Sequence, residues 1–267
     1  MLNSFISFIK VLIQQRFLIL ALSKRDIVSR YIGSLLGFLW TFIQPLVLIS
    51  VFWFVFSVGF KVKPMNDIPF VVWLTAGMAP WFLFAQIITS SAGVVVQHAN
   101  LIKKTVFQSE ILPIVTIISG LVTHFVFVFL IIILMLFNNL QFSLYMLQCL
   151  YYLFCLCVLS FSLGWIFSAL IVFIRDVGQI VGVVIQIGFW ATPIFWDITI
   201  MSPQIQSILK LNPVFYIVQG YRNSFIYHQG FWHSPYWTLY FWTVTLFLLV
   251  VGITVFQRLK PQFADVL

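Results

Sequence analysis

Residues 21–40 read ALSKRDIVSRYIGSLLGFLW, a polar island that passes abruptly into an apolar run. Lys24, Arg25, Asp26 and Arg30 crowd the island, whereas residues 31–60 contain no Lys, Arg, Asp or Glu. Each cation costs about 2.5–3.5 kcal/mol at a bilayer centre even on insertion-based scales, so the island belongs at a membrane face and the run behind it in the membrane. Lys and Arg beside span ends are retained inside, which assigns that face to the cytoplasm. The plain reading of the cluster is an orientation signal; Asp26 beside Arg25 adds a second, a meeting point for a cytosolic partner.

The rest of the chain has the same grain. Of 267 residues, 62% are hydrophobic and 7% charged, and the mean hydropathy is +1.09. A soluble domain has too little interior to hide that much apolar surface, so the composition describes a multi-span membrane protein. The net charge of +8 is no nucleic-acid signature, because the basic residues flank apolar runs instead of forming a stripe on a polar domain. It reads as topology and attraction to anionic membrane lipids. Cys149, Cys155 and Cys157 share one apolar run without metal-ligand spacing and read as lipid-face or packing residues.

Taken in order, Asn3, Ser7, Lys10 and Gln14 form one polar stripe at helical spacing in the otherwise apolar segment Leu2 to Leu22, which suits an interfacial helix; with the cytoplasmic island it makes up residues 1–30. Apolar spans are expected at 32–60, 69–96, 111–137, 143–174, 177–195 and 236–256. Pro45 marks a possible kink, Gly33 and Gly37 a small-xxx-small pair, and Gly77 with Pro80-Trp81 a break or bend. Residues 111–174 carry no charged side chain and would extend roughly 96 Å as one helix, so they form two spans turned at Asn138-Asn139. The loop 97–110 returns the chain to the cytoplasm. Residues 196–235 are interrupted by Asp197, Pro203, Lys210, Asn212-Pro213 and Arg222 into pieces too short to cross, and read as re-entrant. On these assignments Lys10, Arg16, Lys24, Arg25, Arg30, Lys103, Lys104, Arg175, Arg258 and Lys260 lie inside. Lys61, Lys63, Lys210 and Arg222 complete the 14 and lie outside. The asymmetry supports six spans with both termini cytoplasmic.

The chemistry is notable for what it omits. The sequence has no phosphate-binding loop, no H-E-x-x-H, no G-x-S-x-G and no paired carboxylates. The spans also lack the buried charges that carry ion coupling; His124 is the single candidate relay, against the plainer reading of a packing residue bonded to a neighbour. Such a chain either conducts passively or is driven by a partner, and the polar islands are where a partner pushes. Rival classes are a membrane enzyme acting on lipid-linked sugars and a passive channel. Aromatic residues make up 19%; an interfacial belt explains most, while inward rings would stack on sugars.

Six ordered blocks resemble the ABC-2 permeases that export bacterial polysaccharides, O-antigen exporters most nearly. The blocks are Arg25-Asp26 and Arg30-Tyr31 with residues 34–46, residues 77–81, 100–107 with Glu110-Ile111-Leu112-Pro113, 192–196, 211–214 with Arg222, and 259–265. The resemblance implies a homodimer in the bacterial inner membrane, with two copies of a cytosolic ATPase that binds ATP and Mg, and a lipid-linked polysaccharide as cargo. No cofactor is implied in this chain, and capsule and teichoic acid exporters are the nearest alternatives. By position, Gln97, Asn100, Lys103, Lys104, Phe107 and Glu110 would contact the ATPase. Arg25, Asp26, Arg30 and Tyr31 would line the cytoplasmic entrance, where guanidinium groups match a diphosphate. Trp40, Phe189, Trp190, Trp196, Asn212, Pro213 and Arg222 would line the pathway and gate its exit.

Overall fold

The computed structural model describes residues 10–62, 68–104 and 107–267, and all regular structure among them is helical. Asn3 and Ser7 of the expected interfacial stripe, and Lys63 of the expected outer loop, lie outside the described residues. Among the described residues, five segments are long and apolar enough to cross a membrane: Gly37–Gly59, Phe70–Gln97, Ser109–Phe137, Leu144–Phe173 and Pro235–Val266. The chain is an all-α polytopic membrane protein.

Helix α1 (Arg16–Ser29) buries Ile19, Leu22 and Ser23 against α5 (Leu112–Phe137) and leaves Phe17, Leu20 and Val28 exposed. The first span starts later than its apolar run. Gly33 and Gly37 have φ of +78° and +49°, a left-handed backbone foreign to the interior of a right-handed helix, and a Cβ at either would stand in open space. They shape the turn between island and span, so this pair does not lie on a helix face within the chain. A 3-10 turn at Gly37–Leu39 then leads into α2 (Trp40–Trp53), which takes Pro45 in its interior and ends in a π turn, Phe54–Gly59.

Helix α3 (Phe70–Gln97) is the axis of the bundle. It packs on α2, α5, α6 (Cys149–Phe173), α7 (Asp176–Ala191) and α9 (Pro213–Arg222). Of the break or bend expected near Pro80, no break occurs: the helix runs through it without interruption. Proline removes one backbone bond, and the remaining bonds of a helix packed against five neighbours carry it through. Short α4 (Ala99–Lys104) follows after His98, whose Nδ1 lies 2.9 Å from the Val94 carbonyl. Helix α5 ends at Asn138, whose Nδ2 donates to the Leu134 carbonyl, and Asn139 turns the chain at φ +52°. Arg175 and Asp176 make the next turn, the acidic residue sitting in the first turn of α7, where the helix dipole favours it.

Helix α7 has 16 residues, about 24 Å, less than a hydrocarbon core of about 30 Å. It stops at Thr192-Pro193. Helices α8 (Pro203–Lys210) and α9 follow, each begun by a proline at a position whose N–H has no partner within the helix. Helix α10 (Pro235–Leu259) closes the bundle against α6, with Gly252 where a Cβ would stand 2.7 Å from the Ser162 carbonyl oxygen. Such close approach is how membrane helices gain contact without a hydrophobic drive. Helix α11 (Phe263–Val266) ends the chain and packs on α4 and α6.

Candidate functional site

Three places carry the residues singled out from the sequence. The first is the end of the bundle that holds α4. Gln97, Asn100 and Lys103 are exposed there, and the Lys104 side chain lies outside what is described. Phe107 turns inward, packed with Ile102 on a core that includes Val95, Leu112, Phe256 and Phe263. Glu110 is likewise held. Its carboxylate pairs with Lys260 at 2.5 Å, and its backbone carbonyl accepts from Trp165 Nε1 at 3.1 Å. Gln97, Asn100 and Lys103 thus present chemistry outward, while Phe107 and Glu110 fasten the loop to the bundle and to the C-terminal segment. The Glu110–Lys260 pair has no signature in the amino-acid order, because its partners are 150 residues apart.

The second place is the basic island. Arg25 is exposed, whereas Arg30 pairs with Asp26 at 2.7 Å, one helical turn back, and donates to Ser119 Oγ of α5 at 3.0 Å. Tyr31 accepts a hydrogen bond from Thr41 Oγ1 at 2.6 Å and meets Phe38 edge-on. Arg30 and Tyr31 therefore tie α1 to α5 and α2, which leaves Lys24 and Arg25 as the cations of the island most open to an anionic group.

The third place is the face between α2 and α7. Trp40, Gln44, Val47, Phe52, Phe82 and Phe189 line an open groove of about 510 Å³ with an apolar surface. Trp190 is exposed beside it, and its backbone carbonyl accepts from Trp196 Nε1 at 3.3 Å. Phe189 meets Phe195 edge-on at 4.9 Å, and Phe195 stacks on Phe52 and Phe56. Trp40 and Phe189 share one wall; the other expected pathway residues do not reach it.

Asn212, Pro213 and Arg222 instead form a latch between α9 and the segment beyond α7. Asn212 caps α9 by accepting from the Val214 N–H at 3.0 Å, and its Nδ2 donates to Thr192 Oγ1 at 3.0 Å. Pro213 starts the helix. Arg222, at 2% exposure, donates to the carbonyls of Pro193 at 2.8 Å and Ile194 at 2.6 Å. Its guanidinium lies 3.5 Å from the centre of the Trp73 ring, a desolvated cation–π contact. Gly77 makes the space, since a Cβ there would lie 2.7 Å from Arg222 Nη2. Two carbonyls of the segment just beyond α7 are satisfied by this one side chain. His124 is similarly a core residue, with Nδ1 3.3 Å from the Ala79 carbonyl and Nε2 2.9 Å from the Tyr221 hydroxyl.

Among the described residues no group of three His, Cys, Asp or Glu is arranged to hold a metal ion. Residues 17–226 match the family model described as ABC-2 type transporter. The chain is 29% identical to the O-antigen export system permease protein RfbA of Klebsiella pneumoniae, over 94% of this chain and 95% of that one. It is 27% identical to the protein of the same name in Myxococcus xanthus, over 97% and 99%. It is 24% identical to the polysialic acid transport protein KpsM of Escherichia coli, over 91% and 93%.

Proposed function

The chain belongs to the ABC-2 type transporter family, and from that we propose that it is the permease subunit of an exporter carrying a lipid-linked, O-antigen-like polysaccharide across the bacterial inner membrane. A separate cytosolic ATPase supplies the energy. The observation that carries this reading is likeness along nearly the whole chain to permeases named for O-antigen export. Spans free of charged side chains, with basic islands at their ends, support it: nothing in them couples to an ion gradient, so the work enters by contact. The polysialic acid relative favours a capsule-type glycan as the second reading.

In this reading α7, with Thr192, Pro193, Ile194 and Phe195 beyond it, completes a sixth span, α8 and α9 dip into the outer leaflet and return, and both termini are cytoplasmic. Helix α1 lies in the inner interface, with Phe17, Leu20 and Val28 toward lipid. Two copies pair across the exposed faces of α2 and α7, so that Trp40, Phe189 and Trp190 border the path. Helix α4 seats in the ATPase through Gln97, Asn100 and Lys103, with Lys104 beside them; Phe107 and Glu110 set its pose. Lys24 and Arg25 offer the cytoplasmic entrance a phosphate-binding charge.

The test is export by the permease with its ATPase in cells. Changing Asn100 and Lys103 together to Ala is expected to lower glycan export at least tenfold, about 1.4 kcal/mol of coupling, while the complex still assembles and hydrolyses ATP. Undiminished export would reject the coupling assignment, and glycan movement by the permease without any ATPase would reject the function.

A further inference from the structure

A second cavity, of about 450 Å³, opens between α8, α9 and the start of α10. It sits at the end of the bundle opposite the basic islands, because Tyr152 in its wall begins the helix that follows the Asn138 turn. Its volume is in the ordinary range for a small-ligand pocket. Unlike the groove between α2 and α7, its lining mixes flat rings with amides and one charge of each sign.

The rings are held in place. Tyr216 exchanges hydrogen bonds with Thr238 Oγ1 at 2.9 Å and Tyr151 at 3.2 Å, and stacks on Phe241 at 4.9 Å. Tyr240 donates to the Leu211 carbonyl at 2.8 Å, and Lys210 lies 5.8 Å from the Trp237 ring centre. Gly220 makes up part of the floor; a Cβ there would run into the Tyr152 ring. Among the amides, Gln219 Nε2 donates to Asn223 Oδ1 at 3.2 Å. That bond uses one N–H and one oxygen lone pair, and each amide has further capacity. Asp197, with Oδ1 accepting from Thr199 N at 2.8 Å and Oγ1 at 2.7 Å, lines the same cavity as Lys210.

Preset rings beside amides that both donate and accept match a sugar. Its C–H face lies on an aromatic plane while its hydroxyls need partners of either kind. The balanced Asp197 and Lys210 disfavour a phosphate, which needs a surplus of donors and positive charge. We propose that this cavity is a saccharide subsite in each protomer, taking one or two uncharged rings, with Trp237 and Tyr240 as stacking surfaces and Gln219 and Asn223 as hydroxyl partners. Its use in export, as a station where the emerging glycan is held, rests on the function proposed above; binding of the sugar does not.

The experiment uses the permease with its ATPase in lipid nanodiscs, avoiding glycoside detergents whose headgroups are themselves sugars. Mannobiose, maltose and diacetylchitobiose are titrated by saturation-transfer NMR. At least one is expected to bind saturably, Trp237→Ala to weaken it about tenfold and Asn223→Ala about fivefold. Trp237→Phe should retain most of the binding, and Phe247→Ala, on the exposed side of α10, should leave it unchanged. Absence of saturable binding for all three, affinity unmoved in folded Trp237→Ala and Asn223→Ala protein, or displacement of the sugar by glycerol 3-phosphate overturns the subsite. Export is scored separately in cells. Sugar binding without export rejects the function and keeps the subsite; export without sugar binding does the reverse.

Discussion

Helix α3 and the outer pair α2 and α7 are alike in sequence character and opposite in surroundings. Phe70–Gln97 has a hydropathy of 1.7 and Gly37–Gly59 of 2.0, yet 78% of the first segment's most apolar stretch is buried and 11% of the second's. Along α7 only Val181 is buried. In water such a difference would be intolerable, since α2 and α7 would expose Val47, Val51, Val183 and Ile187. In lipid it costs little, because acyl chains are as apolar as the side chains they replace. Hydropathy therefore says only that a segment leaves water. What gathers helices around α3 is local: glycines at crossings, and Arg222, which joins α9 to the end of α7 over Trp73.

The largest effect is expected at that latch. Arg222→Met deprives two buried carbonyls of their donors and should cost about 3 kcal/mol or more, read as a lowered unfolding midpoint of purified protein in nanodiscs. A midpoint equal to the parent's would mean that α7 ends stably without it. Next comes a matched pair. Ile87→Asn places an unpartnered amide in the axis helix, where Ile87 has no exposed surface, and should lose about 2 kcal/mol. Val183→Asn, on the open face, should lose under about 1 kcal/mol in the isolated protomer; equal losses would erase the contrast between the helices. The smallest effect belongs to the Glu110–Lys260 pair, whose side chains are 18% and 36% exposed. Solvent screening limits it to about 0.5–1 kcal/mol. Glu110→Lys and Lys260→Glu should each impair coupling of ATP hydrolysis to export, and the double exchange should restore it. A double variant no better than either single one would show that the pair does not set the pose of α4.

Much of the long-helix pattern was readable because charge is so costly in hydrocarbon that its absence outlines an apolar segment, as between Glu110 and Arg175. Backbone choices were less so. Gly33 and Gly37 have helix-contact spacing, but their positive φ depends on how the island folds back. Pro80 looked like a break, and its neighbours prevent one. Arg222 had the signature of an outer-loop cation, and only the approach of Trp73 and Gly77, far away in sequence, makes it a buried strut. Phe107 and Glu110 were expected on the coupling loop; that they face inward depends on Lys260 and the C-terminal helix.

The amino-acid order by itself determined that this chain lives in a bilayer, where its apolar segments begin and end, and which ends carry the positive islands, because transfer of charge into hydrocarbon is decided residue by residue. Tertiary structure alone decided which apolar helix is the axis, which cation is a strut, and that Trp237, Tyr240, Gln219 and Asn223 enclose one cavity. Those outcomes depend on contacts between distant residues, whose geometry arises only when the helices pack.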